Sequence, residues 1–232
     1  DAGIQRLSAG VALIIASLAA LHIGLYLSGL NHVGVVWAKG RLQTETLFER
    51  WNTFSRVRVR PFAGTKPFGW GMVRDPEATV EQKYLDIDAD AGTVITRMDG
   101  DIGKFTYLQT DVINAAYLVQ PIQSVAVIGV GGGRDILSAL YFGAERITGI
   151  EINPAIFEVL TDKFADFSGH LDKQPGVSLI NAEARSYINH SQDKYDLIQI
   201  SLIDTWAATA AGGLTLTENR LYTVEAWADF FR

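Results

Sequence analysis

Apolar residues run almost unbroken through one stretch of the chain and recur with short periods elsewhere. From residue 7 to residue 38 there is no Asp, Glu, Lys or Arg, and within 11–30 the only polar interruptions are Ser17, His22 and Ser28. At ~1.5 Å per residue, a helix of that length crosses a hydrocarbon core of about 30 Å. It is longer than the roughly 7–15 apolar residues of a secretory signal peptide. Gly10, Gly24 and Gly29, with several Ala and Ser, suit a helix packed closely against others. The pattern predicts a transmembrane helix rather than a buried core helix.

Beyond it the period changes to two. Residues 56–60 read Arg-Val-Arg-Val-Arg, the alternation of a strand with one wet face. Residues 61–76 contain three Pro and three Gly and read as a loop. Two further strand-like runs, 84–88 and 93–98, are joined by a short turn, so 54–100 is expected to be a small antiparallel sheet. A helix is expected over 106–119, stopped by Pro121.

The grammar then becomes strictly alternating. Apolar strands at 125–128, 147–150, 177–180 and 197–200 are separated by helical stretches at 135–142, 154–167 and 184–189, with a last helix over 217–231. Strands alternating with helices predict right-handed parallel βαβ units in a doubly wound α/β sheet. The expected division is a membrane helix and juxtamembrane segment over 1–40, a small β domain over 41–105 and a Rossmann-like α/β domain over 106–232. Only four parallel strands are visible and the first residue is not Met. The sequence is therefore expected to be a piece of a longer protein whose sheet continues after residue 232.

Charge is distributed unevenly. Residues 1–60 carry a net +4 and the remainder a net −10, giving −6 overall. Most of the positive charge follows the apolar run, which favours a cytoplasmic location for residues 39 onward. The acidic remainder argues against nucleic acid and suits a cationic substrate. With no Cys and four scattered His, neither disulfides nor a metal site is expected.

The chemistry-bearing segments lie where the parallel strands end. The first strand runs into Gly129-Val130-Gly131-Gly132-Gly133-Arg134-Asp135, a turn whose glycines let main chain approach a ligand at a helix N-terminus. Glu151 ends the next strand 22 residues after Gly129, where an acidic side chain reaches ribose hydroxyls, with Ile152 beside it. A dinucleotide fingerprint would place Gly at 134; Arg134 disfavours a pyrophosphate and hence a nicotinamide or flavin cofactor. S-adenosylmethionine or its decarboxylated form, which carry no phosphate, fit the turn better. Glu183 and Ala184 follow the third strand, with Glu183 placed to accept from an adenine amino group. Ser201 and Asp204 follow the fourth, and Asp204 could orient or deprotonate a substrate amine.

In the stretches 51–56, 129–135, 150–154, 195–204 and 216–222 the chain resembles the spermidine synthase (polyamine aminopropyltransferase) family, particularly membrane-anchored bacterial relatives, over roughly residues 50–232. The resemblance implies a small β domain ahead of a methyltransferase-like fold. It also implies an adenosyl-sulfonium site formed by Gly129, Gly131, Gly133, Glu151, Ile152, Glu183, Ala184 and Ser201. Tyr107 matches the family's active-site Tyr in its separation from the glycine turn.

Two departures accompany it. The family's catalytic Asp falls at Ser201, leaving Asp204 as the surviving acid, and an Asp that contacts the donor's amine end falls at Gly132. The implied function is transfer of an aminopropyl group to a small amine by a transferase anchored in the bacterial inner membrane, with its catalytic domain in the cytoplasm, and with a homodimer as one assembly. Methyl transfer, or a catalytically silent adenosyl-binding domain of a membrane protein, are the alternatives.

Overall fold

The computed structural model describes residues 2–28, 34–43, 45–71, 77–89, 91–203 and 221–232. The chain divides into two compact units, Asp1–Thr44 and Glu45–Arg232.

The first unit contains α1 (Ala2–Leu27) and a two-strand hairpin, β1 (Trp37–Ala38) with β2 (Arg41–Leu42). The hairpin turns on Lys39 and Gly40, whose φ values of 45° and 76° are the left-handed pair that a two-residue turn demands. Within α1, Leu7–Leu27 has a mean hydropathy of 2.1 over its most apolar window, none of that window is buried, and Leu13, Leu18, Leu21 and Leu27 are exposed. The helix is long and apolar enough to cross a membrane.

The second unit is α/β and contains two sheets. The smaller is an antiparallel meander of β3 (Phe48–Trp51), β4 (Arg56–Pro61), β5 (Gln82–Ile87) and β6 (Ala91–Thr96), each paired with the next. The larger consists of β7 (Ser124–Ile128), β8 (Arg146–Glu151), β9 (Val177–Asn181) and β10 (Leu197–Ile200), all parallel, in the order β10-β7-β8-β9. The chain starts in the middle, winds outward through β8 and β9, then crosses to the other side of β7. That reversal leaves a crevice at the strand ends between β7 and β10, the place where doubly wound sheets bind ligands. Val57, Val59, Leu85 and Ile95 from the small sheet share one apolar core with Val125, Val127, Ile136 and Ile147 from the large one.

The alternation over 56–60 gives a strand, but its arginine face is not wet. Arg56 and Arg58 are 3% and 4% exposed. Neighbouring strands bring acids into register beside them. Glu49 on β3 pairs with Arg56 at 2.8 Å, and Asp86 on β5 receives Arg58 Nη2 at 2.9 Å and Nε at 3.2 Å. Arg60 reaches Asp86 at 3.5 Å and lies 4.2 Å above the ring of Tyr84, which Phe62 stacks against. A period of two reveals a strand but not whether its polar face meets water or opposite charge.

The expected helix over 106–119 is also broken up. Thr106–Thr110 and Val112–Asn114 are 3₁₀ turns, and only α2 (Ala115–Val119) is α-helical. Asp111 interrupts the run because its side chain accepts from Ile113 N and Trp70 N and pairs with Arg134. The helix after β8 is shorter than expected: α4 (Pro154–Glu158) opens into a wide π turn over Val159–Lys163. The other helices of the parallel region are α3 (Arg134–Tyr141) and α5 (Ala184–His190). Of the expected helix over 217–231, α6 (Val224–Phe230) is observed, capped by the Thr223 hydroxyl, and residues 217–220 lie outside the described residues.

The buried Arg58–Asp86 pair gives a direct test of the small sheet. Asp86→Ala strands a buried guanidinium and is expected to lower unfolding free energy by about 3–5 kcal/mol. Replacing both partners with Met and Leu is expected to recover most of that loss. Urea denaturation followed by Trp fluorescence would measure the difference.

Candidate active site

The cavity at the strand ends has a volume of about 540 Å³ and lies entirely within the second unit. Ligand pockets span roughly 300–1,000 Å³, so it is large enough for a nucleoside with an attached chain. One wall is the glycine turn after β7, the floor is the ends of β8 and β10, and the opposite wall is the small sheet through Leu85, Ile87, Gly92 and Thr93.

The glycine turn is packed from outside as much as it is opened inside. Gly129, Gly131 and Gly133 have φ values of 77°, 53° and 83°, which side-chain-bearing residues rarely adopt. Gly132 has a different reason to be glycine. A Cβ there would stand 2.1 Å from the Val94 carbonyl oxygen on β6, so the turn rests directly on the small sheet's main chain. The Asp that the family resemblance would place at 132 has no room. Gly129 and Gly131 line the cavity, whereas Gly133 sits outside it as the residue before α3, with Leu171 against its α-carbon.

Glu151 is 5% exposed and lines the cavity. Its carboxylate accepts from Gly131 N at 3.2 Å and Asn153 N at 2.9 Å, which fixes it across the turn. Burial pushes its pKa up, against the backbone donors that draw it down. Asn153 is held in turn by Asn52 and Ser55, which donate to and accept from its amide at 2.7 and 2.9 Å. The loop between β3 and β4 thus braces the carboxylate from behind.

Ile152, Glu183, Ala184 and Ser201 also line the cavity. Glu183 caps α5, accepting from Arg185 N at 3.0 Å and Ser186 N at 2.8 Å. Tyr107 is buried and outside the cavity lining; its hydroxyl bonds Thr96, and burial pushes its pKa up. Asp204 lies outside the described residues.

Two charged residues that sequence reading left aside stand in the cavity wall. Asp135 is 6% exposed at the start of α3 and shares the cavity lining with Ser201. Burial pushes its pKa up, opposed by the Ser201 bond and by Arg134. Ser201 is positioned by Gln199 Nε2 at 3.3 Å, and Gln199 Oε1 accepts from Tyr117 Oη at 2.9 Å. Hydrogen bonds therefore run from α2 through β10 to Ser201. Arg134 is 6% exposed; its Nη2 pairs with Asp111, and burial lowers its pKa against the pull of Asp135. The signal for both residues was their place immediately after the glycine turn, which points the first turn of α3 at the strand ends.

No family model matches the chain. A polyamine aminopropyltransferase of Korarchaeum cryptofilum (strain OPF8) is 22% identical over 125 residues, covering 54% of this chain and 36% of the relative. Among solved structures, spermidine synthase in complex with the transition state analogue AdoDATO superposes with a TM-score of 0.48 at 13% identity, over 82% of this chain and 53% of that one. Spermidine synthase from Thermotoga maritima gives 0.49 at 15% identity, over 82% and 54%. The matched region is about a third of the curated relative's length, and about half that of the solved structures. The chain resembles spermidine-synthase-like proteins.

Two outcomes test this geometry. Gly132→Ala forces the turn away from β6 and is expected to cost about 1–3 kcal/mol of stability, measured by chemical denaturation. For Glu151, a carboxyl whose folded pKa is raised makes an unfavourable contribution that grows as pH rises above the unfolded value of about 4.3. Glu151→Gln is therefore expected to gain stability relative to the parent as pH is raised from acid to neutral, in paired denaturation curves.

Proposed function

We propose that the second unit binds an adenosyl sulfonium donor and transfers a carbon group from it to an amine. The similarity to a polyamine aminopropyltransferase supports an aminopropyl group as the group moved. The carrying observation is one cavity with the glycine turn and Glu151 at one side and the Asp135–Ser201 pair at another. In this reading Glu151 accepts from the ribose hydroxyls and Glu183 from the adenine amino group. The donor supplies a carbon already activated by its sulfonium, so the protein's work is placement, desolvation and handling of the amine's proton.

Asp135 takes that last task. A serine hydroxyl at 201 is no base near neutral pH, but Asp135 lines the same cavity and offers a carboxylate near the position the resemblance assigns to the catalytic acid. Burial makes Asp135 a stronger proton acceptor than a solvated carboxylate. The attacking amine would pass its proton there as the new C–N bond forms and the C–S bond to the donor breaks. In this reading residues 41–105 wall the cavity and residues 106–232 carry the donor site.

The N-terminal helix serves as a membrane anchor in this proposal, supported by the 21 residues of Leu7–Leu27 and their exposed apolar surface. Lys39 and Arg41 are the basic residues close behind it, and they favour a cytoplasmic second unit in a bacterial inner membrane. Arg56 and Arg58 contribute little to that bias, because they lie more than about 20 residues beyond the helix end at Leu27.

Calorimetric titration of the detergent-solubilised chain with S-adenosylmethionine, decarboxylated S-adenosylmethionine and methylthioadenosine tests the site. Binding of at least one with a micromolar dissociation constant is expected, and binding of none sinks the proposal. Asp135→Asn is expected to leave donor affinity in place and lower turnover by about 10²-fold or more, measured as sulfur product released in the presence of an amine panel.

A further inference from the structure

The cavity has two chemically different sides. Among the described residues its acids, Asp135, Glu151 and Glu183, all come from the parallel-sheet region. The facing side is apolar: Leu85 and Ile87 belong to the small sheet, and Trp70 and Ile113 to the segments that flank it.

That apolar side continues to the surface. Trp70 and Leu202 line the cavity and are themselves exposed, and Val112, next to Ile113, is exposed as well. Val112 lies on the same edge as Trp70: its Cγ1 stands 3.1 Å from where a Cβ on Gly71 would be. Trp70 is held in place there. Its amide donates to Asp111 at 3.3 Å, and its ring meets Phe68 edge-on with centroids 5.3 Å apart. Phe68 in turn meets Tyr84 of β5 edge-on at 6.3 Å. Exposed apolar surface is unfavourable in water, and where it adjoins a cavity of the same character it marks a place that a ligand covers.

We propose that the amine acceptor carries an apolar body. Its nitrogen lies towards the acids of the parallel-sheet region, and an alkyl or aryl body lies along the small-sheet wall and out over Trp70. This rests on the reading of the cavity as a site for an adenosyl donor and an amine. The competing occupant is a diamine whose second ammonium stacks on the indole face. That ammonium would leave water beside Leu85, Ile87 and Ile113, which is unfavourable without a partner.

Calorimetric titration of amines into the chain saturated with methylthioadenosine tests this. Hexylamine against propylamine varies only the length of the apolar body. Hexylamine against cadaverine exchanges a terminal methyl for an ammonium at equal length. Hexylamine is expected to bind about tenfold or more tightly than propylamine, because each buried methylene is worth roughly a factor of three to four. It is also expected to bind about threefold or more tightly than cadaverine. Trp70→Ala is expected to bring the hexylamine-to-propylamine ratio to within about threefold, while Trp70→Phe keeps most of it.

Methylthioadenosine reports whether each variant retains a folded adenosine site. Equal binding of the two monoamines, tighter binding of cadaverine, or a length preference that survives Trp70→Ala overturns the proposal and leaves the donor site standing. Failure of methylthioadenosine itself to bind the unaltered chain removes both.

Discussion

The main chain of β6 and the main chain of the glycine turn touch at Gly132, with no space between them for a methyl group. Much of the second unit follows from that contact. It brings a four-strand meander against a parallel sheet of different architecture and lets Val59, Leu85 and Ile95 complete a core begun by Val125 and Ile136. It holds the turn in the conformation that aims Gly131 N at Glu151. It also sets the distance between the two sheets, and so gives the cavity its second wall. A glycine-rich turn is often explained by what it lets approach from the ligand side. Here one of its glycines is required by the protein's own backbone on the other side.

Around that turn the chain gathers charge that water does not reach. Glu151, Asp135, Asp111 and Arg134 are all at most 6% exposed. Buried charges persist when each has a stated partner, because desolvation otherwise drives them to neutrality. Glu151 has two backbone donors, and Asp111 has Arg134 together with the amides of Trp70 and Ile113. The supporting residues come from well-separated segments: Asn52 and Ser55 from the small sheet, Tyr117 from α2, Gln199 from β10. Such bracing suits side chains that must keep fixed positions against a ligand.

How much of this could be read in advance depended on whether a residue's partner was local. The parallel strands were legible because four short apolar runs alternate with helical stretches, and Glu151 because strand, turn and strand have a fixed length. The helix over 106–119 was misread because Asp111 has its most consequential partner, Arg134, 23 positions away. The arginine stripe of β4 looked wet because Glu49 and Asp86 reach it only through strand pairing. Asp135 was overlooked for a related reason. In the first turn of a helix, beside an Arg, it reads as an ordinary favourable helix start, and its place in the cavity wall appears only when the end of β10 arrives alongside. Asp204, favoured as the acid from the sequence, lies outside the described residues, so Asp135 is the acid whose surroundings can be argued.

That difference changes how the loss at position 201 should be understood. An amine attacking an activated carbon needs a carboxylate in a particular place, and the reaction is indifferent to which strand or helix supplies it. In the proposed function the carboxylate therefore comes from the first turn of α3, in the same cavity lining as Ser201 at the end of β10.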